Sequence, residues 1–270
     1  MGLFHFKPSE DSFFRKFFLN IYARFEIPYL KLNALILHRA HPSKIWRPIF
    51  MPFIYLNAFI MLRYGQHGKI MTPKEIENLL NSTDNIQIAV GSCRCRLAQP
   101  NVCDCELKGD ITIQAGAQIY KKHFPKDYKS VTKDEAIQLI NCLNKKGLIP
   151  SIYTFCMFGG VMHEFVICNC CTHACIPLLA QKIIGFHTYD PGNSLARVVQ
   201  QKCSGCGTCV NICQMDARSL SEYKTQVNPI LCIGCGACEQ NCPNKATDMI
   251  KRPNKVLKKQ LSPLRSFVIT

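Results

Sequence analysis

Hydrophobic positions recur along this chain with two different periods, and the places where the period changes outline its elements. Thr72-Pro73-Lys74-Glu75 combines a capping box with a proline in the first turn and predicts a helix running to about Leu80. Ile86 to Val90 reads as a strand that enters Gly91-Ser92-Cys93. A second helix is expected over Ile113–His123, and Thr132-Lys133-Asp134-Glu135 caps a third that stops at Gly147. Strand character returns over Ile149–Phe155 and Glu164–Cys168 around Gly159-Gly160, which predicts a hairpin, and Asp190-Pro191-Gly192-Asn193 is a strong turn signal. Upstream of all this, residues 1–70 are rich in aromatic and basic residues, as in Phe13-Phe14-Arg15-Lys16-Phe17-Phe18. The uncharged run Pro48–Leu62 contains two prolines and falls short of the roughly 20 apolar residues that a membrane-spanning helix needs.

The expected organisation is therefore α+β in four parts. A helical segment covers residues 1–70, a mixed α/β cysteine-rich domain 71–192, a compact domain 193–250 and a basic tail 251–270. With 47% hydrophobic residues in 270, the chain can bury a substantial core. Its net charge of +15 is concentrated at the ends: residues 1–70 hold ten Lys/Arg against three Asp/Glu, and 251–270 hold six against none. The aromatics interleaved with Arg15, Lys16, Arg24, Arg39, Arg47 and Arg63 fit an interfacial element drawn to anionic headgroups; the alternative is packing on the middle domain or on a partner subunit. Met1 to Asp11 shows no apolar run of signal length, so a cytoplasmic location is expected, and a peripheral position on the cytoplasmic membrane face is the alternative that the N-terminal segment leaves open.

Eighteen cysteines change the picture most. Their C-x-x-C spacing brings sulfurs together as thiolate ligands rather than as distant disulfide staples, which implies a reducing, anaerobic setting. Cys203-x2-Cys206-x2-Cys209-x3-Cys213 recurs twenty-nine residues later as Cys232-x2-Cys235-x2-Cys238-x3-Cys242, followed by Pro243. A cubane cluster needs four thiolates, and cysteines at every third position can wrap three of them around one face. Paired C-x-x-C motifs also make zinc sites, but tetrahedral zinc needs only two pairs and leaves the fourth cysteine of each run unexplained.

Across roughly residues 194–250 the sequence resembles the bacterial two-cluster ferredoxins, which implies a pseudo-twofold β-α-β repeat binding two 4Fe-4S clusters. The resemblance also implies crossed ligation, with Cys203, Cys206, Cys209 and Cys242 on one cluster and Cys232, Cys235, Cys238 and Cys213 on the other. The sequence departs from the family at Gln214, where a proline is usual.

Two further groups, Cys93, Cys95, Cys103 and Cys105, and Cys168, Cys170, Cys171 and Cys175, lie just beyond predicted strands, where loops present ligands from a rigid sheet. Their C-x-C-R and C-N-C-C patterns are similar to those that precede the two-cluster domain in a wider class of ferredoxin-type proteins from anaerobic bacteria and archaea. One or two further iron–sulfur clusters are expected here, with zinc or redox-active thiols as the alternatives. His163 and His173 are candidate auxiliary ligands, and Arg94 and Arg96 candidates to offset thiolate charge. Cys142, among Ile137, Leu139, Ile140 and Leu143, is expected in the core, and Cys156 is given no role.

There is no G-x-G-x-x-G, P-loop or nucleophile elbow, and hence no sign of independent nucleotide or acyl chemistry. The expectation is an electron-carrying protein or oxidoreductase subunit serving a redox partner protein. A reductase acting through the middle domain, or a redox-sensing regulator, is the alternative. Nucleic acid is not an expected partner: Thr132–Gly147 with the following hairpin has a winged-helix outline but no arginine cluster to read bases.

Overall fold

The computed structural model describes residues 13–40, 45–64, 66–155, 163–184 and 189–256. Two helices lead, α1 (Phe13–Arg39) and α2 (Arg47–Tyr64), followed by β1 (Gln66–Ile70), α3 (Pro73–Asn81), β2 (Ile88–Ser92), α4 (Arg94–Ala98), β3 (Lys108–Ile113), α5 (Ala115–His123) and β4 (Lys129–Ser130). The middle of the chain continues with α6 (Lys133–Lys145), β5 (Ile149–Phe155), β6 (His163–Cys170) and α7 (Ile176–Ile184). The last part contains β7 (Ser194–Val198), α8 (Thr208–Asn211), β8 (Arg218–Ser221), β9 (Lys224–Val227), α9 (Ala237–Gln240) and β10 (Thr247–Lys251).

Six strands form one antiparallel sheet in the order β1-β5-β6-β3-β2-β4, covered by helices on both faces. Strand alternation sorts its side chains into two cores. Ile111, Ile113, Ile152 and Ile167 face α3 and α6, joining Ile76, Leu80, Ala136 and Ile140. Tyr153, Val166 and Cys170 face the other way, joining Leu19 and Ala23 of α1, Tyr120 of α5 and Leu178 of α7. Both predicted capping boxes form: Thr72 with Glu75 and Thr132 with Glu135 each exchange side-chain and backbone hydrogen bonds. Gly147 ends α6 at φ +87°, in the left-handed region a helix stop favours.

Several expectations shift. Ile113 ends a strand instead of opening a helix, because Gln114 at φ +50° breaks the chain direction before α5 begins. Cys142 is exposed, since the inward stripe of α6 runs through Ala136, Ile140 and Leu143 and leaves position 142 on the far side. Cys156 and the Gly159-Gly160 link lie outside the described residues, as do the side chain of His163 and residues 257–270.

Helix α1 lies on the sheet domain along a stripe of Leu19, Ala23, Glu26, Leu30, Ala34 and Leu37, spaced by three or four residues. Its opposite side, with α2, leaves Phe17, Phe25, Leu32, Leu35, Phe53 and Leu56 more than half exposed. Among the described residues, no helix is long and apolar enough to cross a membrane. Strand β1 carries the chain from these helices into the sheet by pairing with β5, so the helical segment joins the middle domain through one of that domain's own strands.

In the last part, β7 pairs with β10 and β8 with β9, and the short helices α8 and α9 lie within the two cysteine runs, carrying Cys209 and Cys238. Arg252, at the start of the basic tail, is buried and donates to the carbonyls of Gly192, Ser194 and Cys232.

Candidate metal centres

In the C-terminal part, Gly207 and Gly236 cap α8 and α9 with φ of +77° and +81° and turn each cysteine run back on itself. Cys203, Cys206, Cys209 and Cys242 line one cavity together with Pro243 and Thr225. Cys213, Cys232, Cys235 and Cys238 form a second neighbourhood, packed into the same core as Ile233, Met215 and Ala217. The structure thus brings together the two sets of four named from the sequence, each with one cysteine from the other run. Burial pushes the Cys238 thiol up to about 11, against the lowering charge of Arg218, and Cys235 higher still.

Donors converge on these sulfurs. The Ala246 N–H points to Cys242 Sγ at 3.1 Å, and the Thr225 hydroxyl lies 3.1 Å from Cys203 Sγ. Arg218, buried, donates from Nη2 to Cys238 Sγ at 3.0 Å, and its charge also reaches Cys209 and Cys232. Among the described residues its Nη1 has no hydrogen-bond partner. A buried cation with an unused donor beside Cys238, Cys209 and Cys232 fits an anionic metal–thiolate assembly with acceptor sulfides.

The middle domain gathers its cysteines from two distant stretches, the β2–β3 connection and the end of β6 with the turn before α7. The run Cys168-Asn169-Cys170-Cys171 is divided by strand alternation. Cys168 and Cys170 face α1 and there join Cys93, Cys95 and Cys175 on the wall of a cavity of about 160 Å³. Cys171 turns to the opposite side, into a small core with Leu143, Leu148, Ala174, Cys103 and Cys105.

Arg96 on α4 stands between these groups. It is buried, its Nη2 donates to the Asn169 carbonyl at 2.9 Å, and its charge acts on Cys93 and Cys170 as well as on Cys171 and Cys105. Among the described residues its Nε and Nη1 have no hydrogen-bond partner. Arg94 points elsewhere: it pairs with Glu26 at 3.0 Å and its guanidinium lies 4.0 Å from the centre of the Phe124 ring. Of the two arginines singled out in the sequence, Arg96 serves the thiols and Arg94 serves a buried carboxylate.

That carboxylate had no sequence signal beyond a polar residue in an apolar helical stripe. Glu26 lines the cavity with Asp110, and Tyr120 donates to it at 3.0 Å. Burial, reinforced by the Asp110 charge and only partly offset by Arg94, pushes Glu26 up to about 7. Asp110 is pushed up to about 6, chiefly by burial, while Tyr128 and Cys168 donate to it.

The two cysteine-bearing regions meet closely. Asn144 of α6 donates to the Cys235 carbonyl at 3.1 Å. Gln214, the residue in the usual place of proline, accepts from the Thr172 N–H at 2.8 Å and donates to the Gly147 carbonyl at 2.7 Å. Tyr189 is buried within electrostatic reach of Cys170, Cys175 and Cys235.

Fold and donor set together define a cysteine-rich α+β protein with an iron–sulfur domain of ferredoxin type. Residues 202–246 match the family model of the 4Fe-4S dicluster domain. No curated protein and no solved structure matches the chain.

Proposed function

We propose that this protein passes single electrons between two 4Fe-4S clusters in its C-terminal module and a further iron–sulfur centre in the middle domain. Cys203, Cys206, Cys209 and Cys242 would hold one cluster, Cys232, Cys235, Cys238 and Cys213 the second, and four of Cys93, Cys95, Cys168, Cys170 and Cys175 the third. The clusters supply one-electron redox chemistry over a wide range of potentials. The protein's own part is ligation, charge balance and spacing. Arg218 and Arg96 each place a fixed positive charge against buried thiolates, which favours the more reduced, more negative state.

The observation that carries this reading is the shared packing of the regions: Tyr189 is buried in one continuous core with Cys170 and Cys175 of the middle domain and Cys232 and Cys235 of the module. At the other end Cys206 is exposed, which suits exchange with a redox partner protein. The exposed aromatic and aliphatic side chains of α1 and α2 suit docking on such a partner or on a membrane surface.

The test is iron and acid-labile sulfide per chain on anaerobically purified protein, with EPR of the dithionite-reduced state. About twelve irons, falling to about eight in Cys170→Ala, support three clusters; about eight in both would confine clusters to the C-terminal module.

A second reading, a reductase, is favoured by one feature. The cavity beside the five middle-domain thiols also holds Glu26 and Asp110, both raised toward neutral pH and able to deliver protons there. Under that reading a small reducible molecule that enters the cavity should perturb the middle-domain EPR signal and leave the other signals unchanged. A regulator that binds nucleic acid is not favoured, because α6 is packed against the sheet, α3 and α9.

A further inference from the structure

Not all of the middle-domain cysteines belong to one centre. On the side of the sheet away from the cavity, Cys103, Cys105, Cys171 and His173 bring one donor atom each to within 4.8 Å of one another. The Sγ atoms of Cys103 and Cys171 are 3.7 Å apart. A regular tetrahedron with metal–sulfur bonds of about 2.3 Å spaces its sulfurs ~3.8 Å apart. Thiolates on a cubane spread wider, because each binds a different iron. We propose that Cys103, Cys105, Cys171 and His173 bind a single zinc ion, separate from every iron–sulfur centre.

Three lines support the assignment. The donor set, three thiolates and an imidazole, is a common structural zinc set, and with all four positions filled by protein it leaves none for a substrate. Charge is accounted for as well: three thiolates and one divalent cation leave one negative charge, and the buried Arg96 guanidinium, two of whose nitrogens lack hydrogen-bond partners among the described residues, acts on both Cys171 and Cys105. The geometry also fits a loop staple. Cys103 and Cys105 come from the connection after α4, whereas Cys171 and His173 flank Thr172, whose N–H is held by Gln214 beside Cys213. A metal at this point would pin the two loops together and fix the seat of the C-terminal module.

The sequence hid this site for two reasons. No C-x-x-C…C-x-x-C pair marks it, and Cys171 sits in a run whose other cysteines point to the opposite face.

The experiment uses the full chain, purified anaerobically from medium containing both iron and zinc. Zinc and iron per chain are measured, with X-ray absorption at the zinc edge. About one zinc per chain is expected, with three sulfurs at about 2.3 Å and one nitrogen at about 2.0–2.1 Å. Cys105→Ser should lose the zinc and keep its iron. Should that variant fail to fold, His173→Cys provides the second arm, since His173 is exposed: it should keep zinc, with the nitrogen replaced by a fourth sulfur. A zinc-free wild-type chain, a single iron in place of zinc, or a loss of about four irons in Cys105→Ser would each overturn the assignment.

Discussion

The C-terminal module and the middle domain address the same problem, holding many thiolates in a small volume, in opposite ways. The module draws eight cysteines from 40 consecutive residues, 203–242, and shapes them with local turns. The middle domain collects its cysteines from stretches more than 60 residues apart and uses the two faces of a sheet to divide them. Each region nevertheless buries an arginine against its thiols, Arg218 in the module and Arg96 in the middle domain, and each keeps a nitrogen without a hydrogen-bond partner among the described residues. The difference teaches that local repeats specify a cluster site through backbone geometry. A site assembled across a sheet depends instead on strand alternation and on what covers each face.

If backbone geometry carries the module, its tightest glycines, Gly205 and Gly234, should be its weakest points, and Gly205 is the one to test. A Cβ on Gly205 would lie 2.1 Å from the Tyr223 carbonyl oxygen at φ +70°, whereas one on Gly207, at φ +77°, would meet nothing within 4 Å. Gly205→Ala should cost on the order of 3 kcal/mol or shed a cluster, and Gly207→Ala only about 1 kcal/mol for its left-handed backbone. Anaerobic urea denaturation followed by cluster absorption compares the two. Equal losses would show that the left-handed conformation, and not the close approach to Tyr223, sets the cost.

The contrast blurs where the regions meet, at Gln214. Gln214→Ala strands the Thr172 N–H and the Gly147 carbonyl and should cost about 2 kcal/mol. Calorimetry should then separate one unfolding transition into two, one for each region. A single unshifted transition would mean that other contacts, such as Asn144 to Cys235, hold the regions together.

The smallest effect concerns the covering of the cavity face. Glu26 has a folded pKa raised from 4.5 to about 7, so the stability linked to it is fullest below 4.5 and is lost as pH rises through about 7. The groups facing it are Arg94, Tyr120 and Asp110. From pH 6 to pH 8 the native chain should lose about 1 kcal/mol that Glu26→Gln does not lose. Thermal midpoints of both proteins across that range provide the check, and parallel curves would show Glu26 already ionised through its pairing with Arg94.

How much could be read in advance follows the same division. Capping boxes at Thr72 and Thr132, the Gly147 stop and the two cysteine runs were legible because each is a local interaction between residues a few positions apart. Strand β3 was not, since the alternation of Asp110-Ile111-Thr112-Ile113 is only four residues long and runs straight into the helix-forming stretch after Gln114, whose φ of +50° redirects the chain. Neither were Glu26 and Tyr189, single residues whose importance comes only from what packs around them. His173 could have been paired with Cys171 only by noticing that a strand through Cys168-Asn169-Cys170 must turn position 171 to the other face.

What the sequence determined by itself is the ferredoxin-type module: eight cysteines at fixed spacing with glycines between them leave the backbone little choice, and residues 202–246 alone match the dicluster family. What only the tertiary structure decided is the partition of the middle-domain cysteines into five around a cavity and three beside His173. The physical reason is that ligand spacing along a chain is local information, whereas the face of a sheet, the helix that covers it and the charge buried beside it exist only once distant strands have paired.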